Sequence, residues 1–67
     1  MRVLSPRQVV SLIYILGDIR DMPLRSIDRV ANRTPDQQLR ETAFEWFNEL
    51  SQADKRHVLT LVTQKDH

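Results

Sequence analysis

The side chains best suited to chemistry are a small titratable pair near the C-terminus of the sequence and a series of arginines in its middle. Asp54 and His57 are three positions apart, so one helix face would bring both within reach of a single metal ion. Two ligands do not complete a metal site, and the sequence has no cysteine to add others. Without a glycine-rich phosphate loop or a set of converging reactive groups, we expect no catalytic residue, no metal and no cofactor.

The arginines form the more informative pattern. Arginine outnumbers lysine by eight to two, and Arg25, Arg29 and Arg33 recur at spacings of four. That spacing produces a stripe on one face of a helix. One interpretation is a solvated face that pairs internally with three glutamates spaced the same way, Glu41, Glu45 and Glu49. The alternative is a contact surface for an acidic partner, because the planar guanidinium group suits carboxylates and phosphates.

A helix-turn-helix is a further interpretation of the same region. A short arginine-bearing helix would precede a longer helix opening at Thr34, whose Gln37, Gln38 and Arg40 are residue types that read base edges. However, residues 36–54 carry a net charge of −4, and a helix with an acidic outer face is repelled by phosphate. Nucleic acid is therefore the less favoured partner.

The composition limits the protein to one small domain, residues 1–67. The net charge is only +1 and the chain contains no cysteine, so neither a general attraction to polyanions nor a disulfide framework is expected. The apolar run from Val9 to Leu16 is too short to cross a membrane. The default location is cytoplasmic, and stability must come from helix packing or self-association.

Three capping signals predict where helices begin. Ser5, with Pro6 and Gln8 after it, has the pattern of a capping box, in which side chain and backbone at the helix start bond reciprocally. The pattern recurs at Thr34 with Gln37, and more weakly at Ser51 with Asp54. With few glycines and no alternating β-branched run, the sequence predicts an all-α fold: a small bundle of three longer helices plus one short helix.

The remaining boundaries follow from Gly17 and Pro23. Because proline disfavours helical backbone in the residue before it, the first helix should end between Gly17 and Asp21. Gly17 could permit a close approach of helices, but an early C-cap is the favoured role. Pro23 would open the short helix, which runs to about Asn32. Each of the last three helices has one apolar face: Leu24, Ile27, Val30 and Ala31 on the second; Leu39, Ala43, Trp46, Phe47 and Leu50 on the third; Val58, Leu61 and Val62 on the fourth.

The first helix differs because its apolar residues cover most of its circumference. Only Arg7, Ser11 and Asp18 mark a narrow polar strip. Such a helix must be covered nearly all round. Either the other three helices wrap it completely, or part of it remains open to meet a second copy or another protein.

Together these patterns predict a small, non-enzymatic, cytoplasmic regulator or adaptor that docks on a larger protein. We expect the partner to present an acidic patch, and we expect the chain to self-associate through its first helix as a homodimer, without membrane contact. The predicted partner-binding residues are Val10, Tyr14, Arg25, Arg29 and Arg33. The alternative is a small DNA-binding transcriptional regulator with a helix-turn-helix.

Overall fold

A computed structural model describes residues 4–65, and within that range it contains four α-helices and no strand. The predicted all-α bundle of three longer helices and one short helix is confirmed. The helices are α1 (Pro6–Ile19), α2 (Leu24–Arg33), α3 (Asp36–Asn48) and α4 (Gln52–Lys65).

The predicted cap at the start of α1 is confirmed. The backbone N–H of Gln8 donates to Ser5 Oγ at 3.2 Å, and the Ser5 N–H donates to Gln8 Oε1 at 2.9 Å. Leu4 is half-buried and Val9 is buried, so an apolar contact flanks the cap as in a hydrophobic staple. At the start of α4, the Asp54 N–H donates to Ser51 Oγ at 3.2 Å.

The predicted cap at Thr34 is wrong. Thr34 instead ends α2, where its N–H donates to the carbonyl oxygen of Val30 at 3.3 Å. Pro35 occupies the N-cap position of α3 with extended backbone and no side-chain cap. The Pro35 carbonyl accepts from the Leu39 N–H at 2.8 Å, so α3 begins one residue later than the pattern predicts. Asp36 stands in the first turn of α3, where a negative charge is favoured by the helix dipole.

The end of α1 lies inside the predicted interval, but the glycine does not cause it. The Met22 N–H donates to the Gly17 carbonyl at 2.9 Å, and the Asp21 N–H donates to that of Asp18 at 3.0 Å. These two bonds define a Schellman motif, whose left-handed residue is Asp21 with φ 59°. Pro23 then stands just before α2 in extended conformation, one position earlier than its predicted place inside the helix.

The core lies around α1, which packs against each of the other three helices. All the fully buried side chains in the described range are hydrophobic. They are Val9, Leu12, Ile13, Leu16, Ile27, Leu39, Ala43, Val58 and Val62. Of the large apolar residues of α1, only Val10 and Ile19 are classed as exposed. Most of the apolar circumference is therefore covered within one chain.

Two predictions about individual residues are corrected by this packing. Gly17 is not a C-cap but a buried residue inside α1, where a Cβ atom would lie 2.6 Å from Ile27 Cγ1. Its role is to let α2 approach closely. Leu24, predicted on the buried face of α2, is instead 65% exposed at the first position of the helix.

Candidate functional site

The arginine stripe is on the solvent side of α2. Arg25, Arg29 and Arg33 are all exposed, while Ile27 between them is buried against the core. None of their three side chains forms an ion pair or a hydrogen bond within residues 4–65. The internal pairing with the α3 glutamates is therefore not formed, and three guanidinium groups on one helix face are left to solvent.

Arg20 is the arginine that does pair with an α3 glutamate. Its Nη1 atom lies 2.9 Å from Glu49 Oε1, and its guanidinium carbon lies 4.9 Å from the centroid of the Trp46 ring. These contacts join the end of α1 to the end of α3. Both ionic side chains are exposed, so the pair contributes at most about 1 kcal/mol. Arg20 therefore has a structural role.

Val10 and Tyr14 lie one turn apart on α1. Val10 is 36% exposed, whereas Tyr14 is half-buried and packs against the core. The Tyr14 hydroxyl donates a hydrogen bond to the Asp28 carboxylate of α2. This bond, then partial burial and the nearby negative charge, raise the pKa of Tyr14 above its usual value of 10.0. Since Asp28 directly precedes Arg29, the bond connects the α1 residues to the arginine stripe.

A cleft of about 200 Å³ opens beside Val10. Its lining comes from the start of α1, the end of α2 and the start of α3: Pro6, Val9, Val10, Ala31, Asp36, Gln37, Leu39 and Arg40. Typical small-molecule pockets have volumes of about 300–1,000 Å³, so this cleft is smaller than they are. The cleft therefore fits a single large side chain better than a cofactor.

Arg40 has an unusual environment at this cleft. Its Nη1 atom is buried, yet no hydrogen-bond acceptor of the described residues is within reach. A buried, charged donor without an acceptor is costly. The sequence alone indicates Arg40 as one of five arginines within 21 residues and as a possible base-reading residue. One signal in the sequence could have indicated this environment. Arg40 directly follows Leu39, which is on the buried face of α3, so its side chain starts at the edge of that face.

The outer face of α3 is acidic, and this bears on the helix-turn-helix interpretation. Gln37 and Gln38 are exposed at the start of the helix, but so are Glu41 and Glu45. Neither glutamate forms an ion pair with another described residue. A helix with this face would bring uncompensated negative charge towards the phosphates of a DNA groove.

The described part of the chain contains neither a group of residues that could hold a metal ion nor a membrane-spanning helix. No group of three or more potential ligands is close enough there to hold a metal ion. No helix between residues 4 and 65 has the length and apolar character needed to cross a bilayer.

No protein-family model matches this sequence, and no similar curated protein or solved structure was found.

Proposed function

We propose that this protein is a small, non-enzymatic, protein-binding regulator or adaptor that docks on a larger protein through α2. The observation that carries the proposal is the stripe of three exposed arginines whose side chains have no acceptor among the described residues. A solvated stripe of this kind retains its full capacity to bind carboxylates, and arginine can do so in bidentate geometry. The expected partner surface is acidic.

The α1 residues extend this surface. Val10 offers exposed apolar area, and Tyr14, one turn further along α1, is hydrogen-bonded through its hydroxyl to Asp28 of α2. Interfaces commonly combine an aromatic or apolar centre with arginine. Self-association through the first helix has less exposed apolar surface available than the sequence predicts, because Val10 and Ile19 are the only large apolar residues of α1 that are exposed.

Protein is favoured over DNA as the partner because of the charge on α3. In a helix-turn-helix, the second helix enters the major groove. Here that helix would be α3, whose exposed Glu41 and Glu45 oppose phosphate and whose Arg40 is partly buried. The basic face of α2 alone would contact an acidic protein surface without bringing α3 near it.

A comparison of two charge-reversal variants tests the proposal. Arg25→Glu with Arg29→Glu reverses the stripe, whereas Arg7→Glu with Arg56→Glu makes the same net charge change at exposed residues elsewhere. Each variant and the unmodified protein is immobilised and exposed to an extract of the native host, and retained proteins are identified by mass spectrometry. We expect a protein with an acidic surface to be retained by the unmodified protein and the Arg7/Arg56 variant, and lost by the Arg25/Arg29 variant.

Two results would contradict this function. Equal retention by both variants would mean that the stripe is only solvated surface. Binding of random duplex DNA at low salt, with a steep loss as salt is raised, would favour the DNA-binding alternative. Circular dichroism of each variant checks that the helices are intact.

A further inference from the structure

The outer face of α3 carries two carboxylates and an aromatic ring. Glu41 and Glu45 are exposed four positions apart, and Phe44, which lies between them in sequence, is 43% exposed. Residues three and four positions apart are neighbours on one side of a helix, so these three side chains form one continuous surface, the α3 patch. Neither glutamate forms an ion pair with another residue in the range 4–65. The patch therefore offers free carboxylates beside an apolar ring.

These are groups that arginine binds. Its planar guanidinium group pairs with carboxylates and stacks on aromatic rings. The arginine stripe of α2, formed by Arg25, Arg29 and Arg33, is exposed, and its side chains have no acceptor among the described residues. The same small chain thus carries one basic and one acidic helix face, and the described residues leave both to solvent.

We propose that the arginine stripe of one copy binds the α3 patch of a second copy, so that the protein self-associates through unlike helix faces. Between two copies, these faces can be paired in three ways. Stripe against stripe and patch against patch each bring like charges together, which is unfavourable at an interface. Stripe against patch is the one pairing whose charges are complementary.

The spacing of the charges fits this pairing. Four residues advance about 6 Å along an α-helix, so neighbouring arginines of the stripe are as far apart along α2 as Glu41 and Glu45 are along α3. Two ion pairs can therefore form together when the two helices lie side by side. Whichever two neighbouring arginines take part, Arg29 is one of them. Phe44 offers its ring to a guanidinium group or to the apolar stem of an arginine.

This pairing deepens the proposed function and rests on it, because the same stripe serves both contacts. A stripe that is covered by a second copy is closed to the docking partner, so self-association and docking exclude each other. Since exposed ion pairs contribute little individually, we expect the self-association to be weak and reversible. An acidic partner would then displace the second copy by competing for the arginines.

Sedimentation equilibrium of the purified full chain over a wide concentration range tests the pairing. We expect reversible self-association at low salt and its loss at about 1 M salt, where the Debye length is only about 3 Å. Glu41→Arg with Glu45→Arg should weaken self-association at least about tenfold, because the patch becomes basic. Both glutamates are exposed, so this variant should fold normally. Phe44→Ser should weaken self-association about threefold.

A complete exchange of charge between the two faces is the sharpest arm of the experiment. The Glu41/Glu45 reversal is combined with Arg25→Glu, Arg29→Glu and Arg33→Glu. Three arginine-to-glutamate changes subtract six charges and two glutamate-to-arginine changes add four, so the net charge goes from +1 to −1. Both faces are inverted while the magnitude of the net charge is kept. Self-association should therefore return to within about threefold of the unmodified protein.

Two exposed arginines outside both faces provide the matched control. Arg7→Glu with Arg56→Glu changes the net charge by four, as the Glu41/Glu45 reversal does in the opposite direction. Because neither residue belongs to the stripe or to the patch, this variant should self-associate like the unmodified protein.

A chain that stays monomeric at low salt contradicts the pairing. Self-association that ignores the Glu41/Glu45 reversal or high salt uses a different surface and overturns it. Failure of the five-residue exchange to restore self-association, with circular dichroism showing intact helices, also overturns it. The pairing is measured with purified protein alone and docking with an extract of the host, so the failure of one proposal is distinguishable from the failure of the other.

Discussion

At the scale of single residues, Gly17 sets how closely α1 and α2 approach. A Cβ atom there would lie 2.6 Å from Ile27 Cγ1 and 2.8 Å from Ile27 Cδ1, and the Ile27 side chain is itself buried. We expect Gly17→Ala to lower the free energy of unfolding by about 1 kcal/mol. Overpacking a core costs about 1–3 kcal/mol, and the better helix propensity of alanine offsets about 1 kcal/mol of it.

Urea unfolding of four proteins measures this effect: the unmodified chain, Gly17→Ala, Ile27→Val and the double variant. Because Ile27→Val removes the Cδ1 atom, the cost of Gly17→Ala should be smaller in that background. If Gly17→Ala is as stable as the unmodified protein, helix propensity outweighs the close approach and the structural role given to Gly17 is wrong.

Asp21 has a backbone conformation that costs folding free energy. It adopts φ 59° at the end of α1, a region that glycine enters without a Cβ penalty. Its negative charge also lies at the helix end where the dipole disfavours it. Asp21→Gly should raise the free energy of unfolding by about 1 kcal/mol.

Thermal and urea unfolding check the Asp21 prediction, with Asp21→Ala as the matched control. Alanine removes the charge but keeps the Cβ atom, so it should give little or no gain. An equal gain from both variants would assign the effect to charge alone and count against backbone strain.

At the scale of helices, the Tyr14–Asp28 hydrogen bond fastens α1 to α2 and makes the stability sensitive to alkaline pH. The pKa of Tyr14 is higher in the folded protein than its usual value of 10.0, so the unfolded chain loses this proton first. The stabilisation is therefore fully present below about pH 10 and is lost as the pH rises through the folded pKa.

The corresponding experiment compares urea unfolding of the unmodified protein and Tyr14→Phe from pH 8 to pH 11.5. We expect Tyr14→Phe to be less stable at pH 8 because the hydrogen bond to Asp28 is missing. The two stabilities should converge above pH 10. Parallel pH profiles would mean that the bond to Asp28 does not stabilise the folded state.

The helices also show what the sequence can and cannot determine. The cap at Ser5 was predictable because a side chain and a backbone group within four residues decide it. The cap at Thr34 failed because the same residue ends α2, and local pattern does not show which helix will use it. For Gly17 the less favoured of two predicted roles is the one that the structure shows, because its neighbour Ile27 is ten residues away in sequence and becomes adjacent only after packing.

At the scale of the whole molecule, charge is divided between two helices. The outer side of α2 is basic, with three exposed arginines, and that of α3 is acidic, with exposed Glu41 and Glu45; none of these five side chains forms an ion pair with another residue that the structure describes. The arginine stripe could be predicted from spacing alone, since α2 is a simple amphipathic helix. The cleft and the buried Nη1 atom of Arg40 could not be predicted from spacing, because the cleft forms only where α1, α2 and α3 meet.

The binding affinity of the captured partner tests the central claim most directly. Its dissociation constant is measured by titration calorimetry against the unmodified protein, the Arg25/Arg29 reversal and the Arg7/Arg56 reversal. We predict that reversing the stripe weakens binding about 100-fold or more, since like charges facing each other at an interface cost several kcal/mol, while the Arg7/Arg56 reversal changes it by less than about threefold. Equal weakening by both reversals would contradict the assignment of α2 as the docking surface.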